Sequence, residues 1–362
     1  MKKTISILLV LTLIVSLFAG CGSTNTPSTD VDESTGEVTA WKAHDISGTI
    51  VIYSTQPQTQ LDVIQEAFAE AYPDVTLEFI SDSLGALHTR LESESGNPQA
   101  DVVFGGLGQY DGTKHQKYYQ KYTNAYIDES PLVDPDGYYN YWTYTAFNCF
   151  VVNTELLAET GVTINSYADL LQPELKGKII AADPTVSSSA WRQLVSMLTL
   201  YGGLEDDAAW DYVAKLIDNM DGITTTSSSA CYKNVYEGEY VVGVTYEDAV
   251  LSLINDGATN IEIVYPSEGN AASGTACAMV KDCPNREGAA AMIDYLCSAD
   301  FQDALAEATH ATRQLNRNCT YENPEMIAND QLGIVEIDFP ELLAKTESIK
   351  ERYINLWNAA NG

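Results

Sequence analysis

Basic residues are scarce in this chain of 362 residues. It has 19 Lys and Arg against 51 Asp and Glu, which gives a formal net charge of −32 at pH 7. A protein that binds nucleic acid needs a basic surface, and so does one that adheres to anionic lipid through surface charge. The composition therefore argues against nucleic acid and against charge-driven membrane binding, and it says nothing about the fold.

Catalytic motifs are also missing. The chain has four histidines, none of them in a recognisable nucleophile–base pattern, and it has no GxSxG, HExxH or Walker sequence. Gly106 and Gly108 look like the start of a dinucleotide fingerprint, but Asp111 stands where the third glycine belongs. We therefore expect no enzyme activity and no cofactor. A secreted hydrolase is the enzyme alternative, and turnover of model esters would support it.

The cysteines lack the spacing of a metal site. Seven are present, with no CxxC pair and no zinc pattern, so we expect no metal site. Six remain once Cys21 is set aside, and six thiols allow about 15 disulfide connectivities among which sequence cannot choose. We expect these six to be structural or free and not catalytic: Cys149, Cys231, Cys277, Cys283, Cys297 and Cys319.

The N-terminal segment has the pattern of an export signal. Lys2 and Lys3 precede an apolar run from Ile5 to Ala19, which is shorter than the roughly 20 residues of a membrane span. Cys21 after Ala-Gly resembles the lipobox of bacterial lipoproteins, from which Phe18 departs. The resemblance implies a signal peptide over 1–20 and a lipid on Cys21. The alternative is a plain secretory signal with an incidental cysteine, and both interpretations place the mature protein outside the cytoplasm.

Residues 21–47 contain many Ser, Thr, Asp and Glu and almost no large apolar side chain before Trp41. Such a segment cannot bury enough surface to fold, so we predict a flexible tether. The rest of the chain is long enough for large cores, which suggests two lobes. Strand, helix, strand, helix and strand follow one another between Thr49 and Phe104, a pattern typical of an α/β fold with a parallel sheet.

An acidic corner follows the predicted strand Tyr240 to Thr245. Tyr246, Glu247 and Asp248 come directly after this strand, and an apolar helical run begins at Ala249. Open α/β sheets bind ligands at the carboxyl ends of their strands, so we interpret this corner as half of a ligand cleft. The alternative is an ordinary helix start, where acidic residues are favoured by the helix dipole.

Small hydroxyl side chains precede helices at three places. Ser54 and Thr55 follow a strand, Ser83 precedes a second predicted helix, and Ser187 to Ser189 precede another. Free backbone N–H groups and hydroxyls at helix N-termini form anion sites. Ordinary helix capping would use the same residues. Three such starts together favour a shared polar cleft.

The order and spacing of several stretches resemble the substrate-binding proteins of bacterial ABC importers, in the branch of ferric-ion, phosphonate, sugar-phosphate and thiamine binders. The resemblance covers roughly residues 49–317. The matching stretches are IVIYSTQPQTQLDVIQEAFAEAYPDV, NPQADVVFGG, LKGKIIAADPTVSSSAW, YEGEYVVGVTYEDA and YPSEGNAASGTACAMVKDCPN.

This resemblance implies a two-lobe type II periplasmic-binding-protein fold, with mixed, mainly parallel sheets flanked by helices and a hinge of crossing strands. Lobe 1 would comprise 48–147 and 268–322, and lobe 2 would comprise 148–267 and 323–362. The ligand would bind between them, the hinge would close on it, and a permease with a cytoplasmic ATPase would receive it. We expect a monomer outside the cytoplasm, held at the cell membrane by its lipid.

Mapped onto this chain, the resemblance implies a set of ligand contacts. From lobe 1 these are Ser54, Thr55, Ser83, Gly85 and Gly106; from lobe 2 they are Ser187, Ser188, Tyr246, Glu247 and Asp248, with Glu268 near the hinge.

The residue types at this cleft suggest the ligand. Ferric binders of the family carry two adjacent tyrosines where this chain has Tyr246 and Glu247, which counts against iron, although oxygen ligation through Tyr246 and a carboxylate stays open. Serine-rich helix starts suit a phosphoryl head, and acidic groups opposite suit hydroxyls or an ammonium. We therefore expect a sugar phosphate or a phosphonate, with a ferric ion or ferric complex as the alternative. A surface adhesin or structural lipoprotein without a small ligand is a further alternative.

Overall fold

The computed structural model describes residues 40–145 and 147–362. The predicted signal peptide 1–20, Cys21 and most of the predicted tether 21–47 lie outside these residues. Within the described ranges, no helix combines the length and the apolar character that crossing a bilayer requires.

The strands and helices alternate along much of the chain. In chain order the strands are β1 Gly48–Ser54, β2 Val75–Ser81, β3 Val102–Gly108, β4 Asn140–Thr145, β5 Asn148–Asn153, β6 Ile179–Ala181, β7 Val242–Tyr246, β8 Ile261–Val264, β9 Asn270–Ala271, β10 Ser273–Met279 and β11 Ile334–Val335. The α-helices are α1 Gln58–Ala71, α2 Leu84–Ser93, α3 Thr154–Thr160, α4 Ser188–Leu200, α5 Asp207–Met220, α6 Ala230–Tyr236, α7 Glu247–Asn255, α8 Arg286–Cys297, α9 Ala299–Thr309 and α10 Phe339–Asn361.

The first sheet has the strand order β2-β1-β3-β10-β4. Strand β1 is parallel to β2 and β3, whereas β10 is antiparallel to β3 and β4. Alternate residues of its strands enter two different cores, with Ile52 and Phe104 on one face and Tyr53 and Val103 on the other. Both faces are therefore covered, as expected for a largely parallel sheet. We call this sheet and its helices the first lobe.

The second sheet has the order β6-β7-β5-β8, with β5 antiparallel to both of its neighbours. Helices α4 and α5 cover one face through a core that includes Phe150, Leu194 and Trp210. Helix α10 joins this core through Leu342, Ile349 and Tyr353. We call this sheet and its helices the second lobe.

Among the described residues, three segments lie between the elements of the two lobes: Phe147, 265–272 and 310–338. The second and third segments pair with each other, because β11 lies parallel to β9. The exact lobe boundaries given above stay a prediction, while the mixed α/β architecture is confirmed.

The predicted alternation of strands and helices between Thr49 and Phe104 corresponds to β1, α1, β2, α2 and β3, and the predicted strand Tyr240 to Thr245 corresponds to β7. The third strand is longer than expected, because β3 continues through Gly105, Gly106 and Leu107 to Gly108. The six cysteines from Cys149 onward are all free thiols.

Candidate functional site

The acidic corner lies where strand β7 ends and helix α7 begins. Tyr246 is the last residue of the strand, and Glu247 and Asp248 form the first turn of the helix. The three side chains enter three different environments, although they are consecutive in sequence. Their roles therefore have to be assigned one by one.

Glu247 is only 2% exposed and forms a buried ion pair. Its carboxylate accepts hydrogen bonds from Arg313 Nε at 2.8 Å and Arg313 Nη2 at 2.5 Å, and a further one from the Tyr265 hydroxyl at 2.5 Å. The carboxylate that was expected to contact the ligand is thus already bound within the protein. Ligand contact by Glu247 stays a prediction that this pairing disfavours.

Asp248 lies at the surface of a cavity between the lobes. The residue as a whole is exposed to solvent, while the protein atoms around its carboxylate partly desolvate that group. This desolvation raises the pKa of Asp248 to about 6, and the neighbouring Glu247 charge adds to the effect. Arg192 opposes the rise. Asp248 is therefore a carboxylate available to a ligand at neutral pH.

Tyr246 is partly buried and packs edge-on against Tyr232, with ring centroids 6.1 Å apart. Burial raises the pKa of its phenol to about 12, so the group is a neutral hydroxyl at neutral pH. A ferric site would require the phenolate instead.

The cavity has a volume of about 190 Å³. A water molecule in the liquid occupies about 30 Å³, so the space suits a small solute. Side chains of both lobes and of the crossing segments form its lining: Gln56, Gln60, Trp142, Thr143, Tyr144, Phe147, Glu247, Asp248, Thr275, Ala311, Thr312 and Arg313.

The first-lobe side of the cleft is built by the carboxyl ends of β1 and β3. Gly106 has φ +72°, and a Cβ there would lie 2.9 Å from Thr55 Cγ2 and 3.4 Å from Leu84 Cβ. Glycine is needed for this close approach, which brings Thr55 and the first turn of α2 together. We call Thr55, Gln56, Gln60, Ser83 and Gly106 the first wall; of these, Gln56 and Gln60 line the cavity.

The serines expected at the cleft are partly engaged in local structure. The fully buried Ser54 hydroxyl donates to Phe104 O and accepts from Gln56 N. Ser83 and Ser187 accept from the N–H groups of Ala86 and Ala190, so both cap helices. Gly85 and Ser188 are exposed in the first turns of α2 and α4. Their contact with a ligand stays a prediction.

Glu268 is bonded entirely within the second lobe. Its carboxylate accepts from the N–H groups of Tyr167 and Ala168 at 3.0 and 3.1 Å, and from the Tyr201 hydroxyl at 2.9 Å. These bonds fix the short helix Ala168–Leu171, and Glu268 does not line the cavity. The ligand contact predicted for it is therefore disfavoured.

Arg192 was missed by the sequence analysis. It lies on α4 one turn after Ser188, which places both on one face of the helix. Its guanidinium lies 5.6 Å from the ring of Tyr110, which belongs to the loop after β3 in the first lobe. The sequence could have indicated this residue, because Arg192 is the only charged residue within α4.

The Arg192 guanidinium has no carboxylate partner among the described residues. Asp248 and Asp111 act on it electrostatically, but neither forms an ion pair with it. Burial lowers its pKa, although a guanidinium remains charged at physiological pH. Arg192 is half-buried, and a partly desolvated charge without an opposite charge beside it is unfavourable, so an anionic ligand would stabilise it. We call Arg192, Tyr246 and Asp248 the second wall; of these three, Asp248 lines the cavity.

Comparison with known proteins identifies the family. The family of bacterial extracellular solute-binding proteins matches residues 98–332, well over half of the chain. This protein is a member of that family. An uncharacterized protein of Haemophilus influenzae is 28% identical over 312 residues, covering 84% of this chain and 88% of its own.

Two proteins similar to this extracellular solute-binding protein are named or solved with a ligand. The spermidine/putrescine-binding periplasmic protein of Salmonella typhimurium is 27% identical over 179 residues, which is 48% of this chain and 49% of its own. The periplasmic binding protein AfuA of Actinobacillus pleuropneumoniae, solved with fructose-6-phosphate bound, is 25% identical with a TM-score of 0.66. The similarity covers 87% of this chain and 99% of AfuA.

The expected two-lobe periplasmic-binding-protein fold and the solute-binding class are both confirmed. The family and its neighbours are transport proteins that bind solutes, and its members act outside the cytoplasm. Among the described residues, no group of three or more His, Cys, Asp or Glu is placed to hold a metal ion.

Proposed function

We propose that this protein binds a small solute with a phosphoryl-type head between its lobes and delivers it to an ABC permease driven by a cytoplasmic ATPase. The observation that carries the proposal is the half-buried Arg192 guanidinium, which lies 5.6 Å from the ring of Tyr110 in the first lobe and has no carboxylate partner among the described residues, although it is not part of the cavity lining. Its planar set of donors matches phosphate and carboxylate oxygens in a bidentate way. The nearby N-terminus of α4 adds a favourable dipole for an anion.

Asp248 would bind the other end of the solute. At neutral pH it offers a carboxylate to hydroxyl groups or to an ammonium. Gln56 and Gln60 of the first wall add neutral amides to the cavity, and Thr143, Thr275 and Thr312 add hydroxyls. This arrangement suits a sugar phosphate or an aminoalkyl phosphonate of modest size. The similarity to AfuA, which was solved with fructose-6-phosphate bound, supports the same class of solute.

A ferric ion is a weaker candidate for the cleft. The corner supplies a single tyrosine, and burial keeps its phenol protonated. The Arg192 charge would repel a bare cation, and it would equally disfavour a polyamine. A ferric complex with an anionic chelator would avoid this repulsion, so it belongs in the test.

A thermal-shift panel tests the proposal. Inorganic phosphate, fructose 6-phosphate, 2-aminoethylphosphonate, ferric citrate and spermidine would be added separately to the purified protein. A ligand present at one hundred times its Kd adds about 2.7 kcal/mol to the free energy of unfolding, which such an assay resolves. We expect stabilisation by an organophosphorus compound. Stabilisation by ferric citrate or spermidine alone would contradict the proposal, and native mass spectrometry would identify any retained solute.

We also propose that Cys21 carries a lipid that holds the protein at the outer surface of the cell membrane, as its sequence pattern suggests. Mass spectrometry of the N-terminal peptide after expression in a bacterial host tests this. An unmodified mature terminus, at Cys21 or elsewhere, would contradict lipid anchoring.

A further inference from the structure

The Glu247–Arg313 ion pair lies at the junction of all three segments that cross between the lobes. The guanidinium carbon of Arg313 is 4.9 Å from the ring of Phe147, in the first crossing, and 5.8 Å from that of Tyr265, in the second. Arg313 Nη1 donates to Ile327 O at 2.8 Å and to Asn329 Oδ1 at 2.6 Å, both in the third crossing.

The two partners are anchored to different lobes. The Arg313 carbonyl accepts from the Thr143 hydroxyl of β4 at 2.6 Å, and the following residue Gln314 bridges to Thr143. Glu247 opens α7 of the second lobe, and its N–H donates to Phe147 O at 2.9 Å. A change in the angle between the lobes would therefore strain this pair before it strained either core.

We propose that the Glu247–Arg313 pair sets the angle between the two lobes, and that Glu247 positions its neighbour Asp248 instead of contacting the solute. Three observations support this role. The pair is almost completely buried, with Arg313 5% exposed. The carboxylate has partners from two separate segments, Arg313 and Tyr265. Asp248 follows Glu247 in the same helical turn, so fixing one carboxylate fixes where the next one points.

The role of the Glu247–Arg313 pair does not depend on which solute binds. Removing one partner of a buried ion pair leaves an unpaired buried charge, whereas replacing both by neutral groups of similar size is often harmless to stability. Stability and lobe arrangement can therefore be separated with single and double variants of the same pair.

The experiment compares Glu247→Gln, Arg313→Met and the double variant Glu247→Gln/Arg313→Met without ligand. Lys176→Met, which removes an exposed ion pair with Asp218 inside the second lobe, is the control. Melting temperature reports stability. Hydrogen exchange of residues 265–272 and the radius of gyration from small-angle X-ray scattering report the hinge.

We expect each single variant to lower the melting temperature by about 5–10 °C. The double variant should recover part of that loss, because it leaves no unpaired charge but still lacks the bonds from Arg313 to Ile327 O and Asn329. Its crossing segments should exchange roughly tenfold faster than those of the wild type. Its radius of gyration should also increase, and the control should match the wild type in all three measurements. If hinge exchange and radius of gyration return to wild-type values together with the melting temperature, the pair is merely structural and the proposal is wrong. Wild-type hinge values in all variants would overturn it as well.

Discussion

The two walls of the cleft differ in charge. The first wall presents hydroxyls, amides and a glycine backbone, whereas the second presents a guanidinium and a carboxylate with pKa about 6. A hydrogen bond to a charged group contributes about 1.5–3 kcal/mol, against about 0.5–1.5 kcal/mol for a neutral pair. The second lobe should therefore decide which charge pattern is accepted, while the first lobe mainly completes the shape of the site.

Arg192→Met should have the largest effect on binding. It removes the cation that we assign to the phosphoryl head and keeps the apolar stem. We expect the Kd for the best organophosphate to rise about 100-fold, as calorimetry would measure. Arg192→Lys is the matched control and should recover only part of the affinity, because it lacks the bidentate fork. If Arg192→Met binds with unchanged affinity, Arg192 does not bind the anionic head, and the two walls do not differ in the charge they offer the ligand.

Asp248→Asn should have the next largest effect. The carboxylate is replaced by a neutral group of the same shape, so we expect the Kd to rise about 10-fold at pH 7.5. Because burial raises the pKa of Asp248 to about 6, wild type and variant should bind almost equally at pH 5. Calorimetry at the two pH values measures both numbers. A variant that binds as tightly as the wild type at pH 7.5 would show that the Asp248 carboxylate does not contact the ligand and acts only on the N-terminus of α7.

Gln56→Ala in the first wall should have a smaller effect. Gln56 lines the cavity, but its amide can form only neutral hydrogen bonds unless it meets a charged ligand group. We expect the Kd to rise about 3-fold. Gln99→Ala, at an exposed position of the same lobe, is the control. If Gln56→Ala loses as much affinity as Arg192→Met, the anionic head of the ligand binds at the first wall and not at the second.

The smallest effect should be the pH dependence of the ligand-free protein. A carboxyl whose pKa is raised in the folded state binds its proton more tightly there, so the stability it adds is complete below the unfolded pKa near 3.9. That contribution is lost as the pH rises through about 6. Wild type should therefore lose a degree or two of melting temperature relative to Asp248→Asn between pH 4 and pH 7. Parallel melting curves across this range would show that the cleft leaves Asp248 well hydrated.

Much of the fold could be predicted from sequence, because hydrophobic periodicity is local. The corner Tyr246 to Asp248 was found in this way, since a buried strand leads directly into an apolar helix. The partner of Glu247 could not be found, because Arg313 lies 66 positions away in a segment without helix or strand periodicity. Arg192 was overlooked for a similar reason, since its position beside Tyr110 of the first lobe is a contact between residues far apart in sequence.

Trp142 lies on β4 at the edge of the cavity and packs against Phe104 with ring centroids 4.7 Å apart. Indole emission depends on the polarity and rigidity of its surroundings, and this indole borders the space that a solute would fill. Replacement of cavity water by a solute would therefore change the emission of Trp142. The protein thus carries its own optical reporter of occupancy, with Trp142→Phe as the variant in which the signal should disappear, so binding can be followed without any attached label.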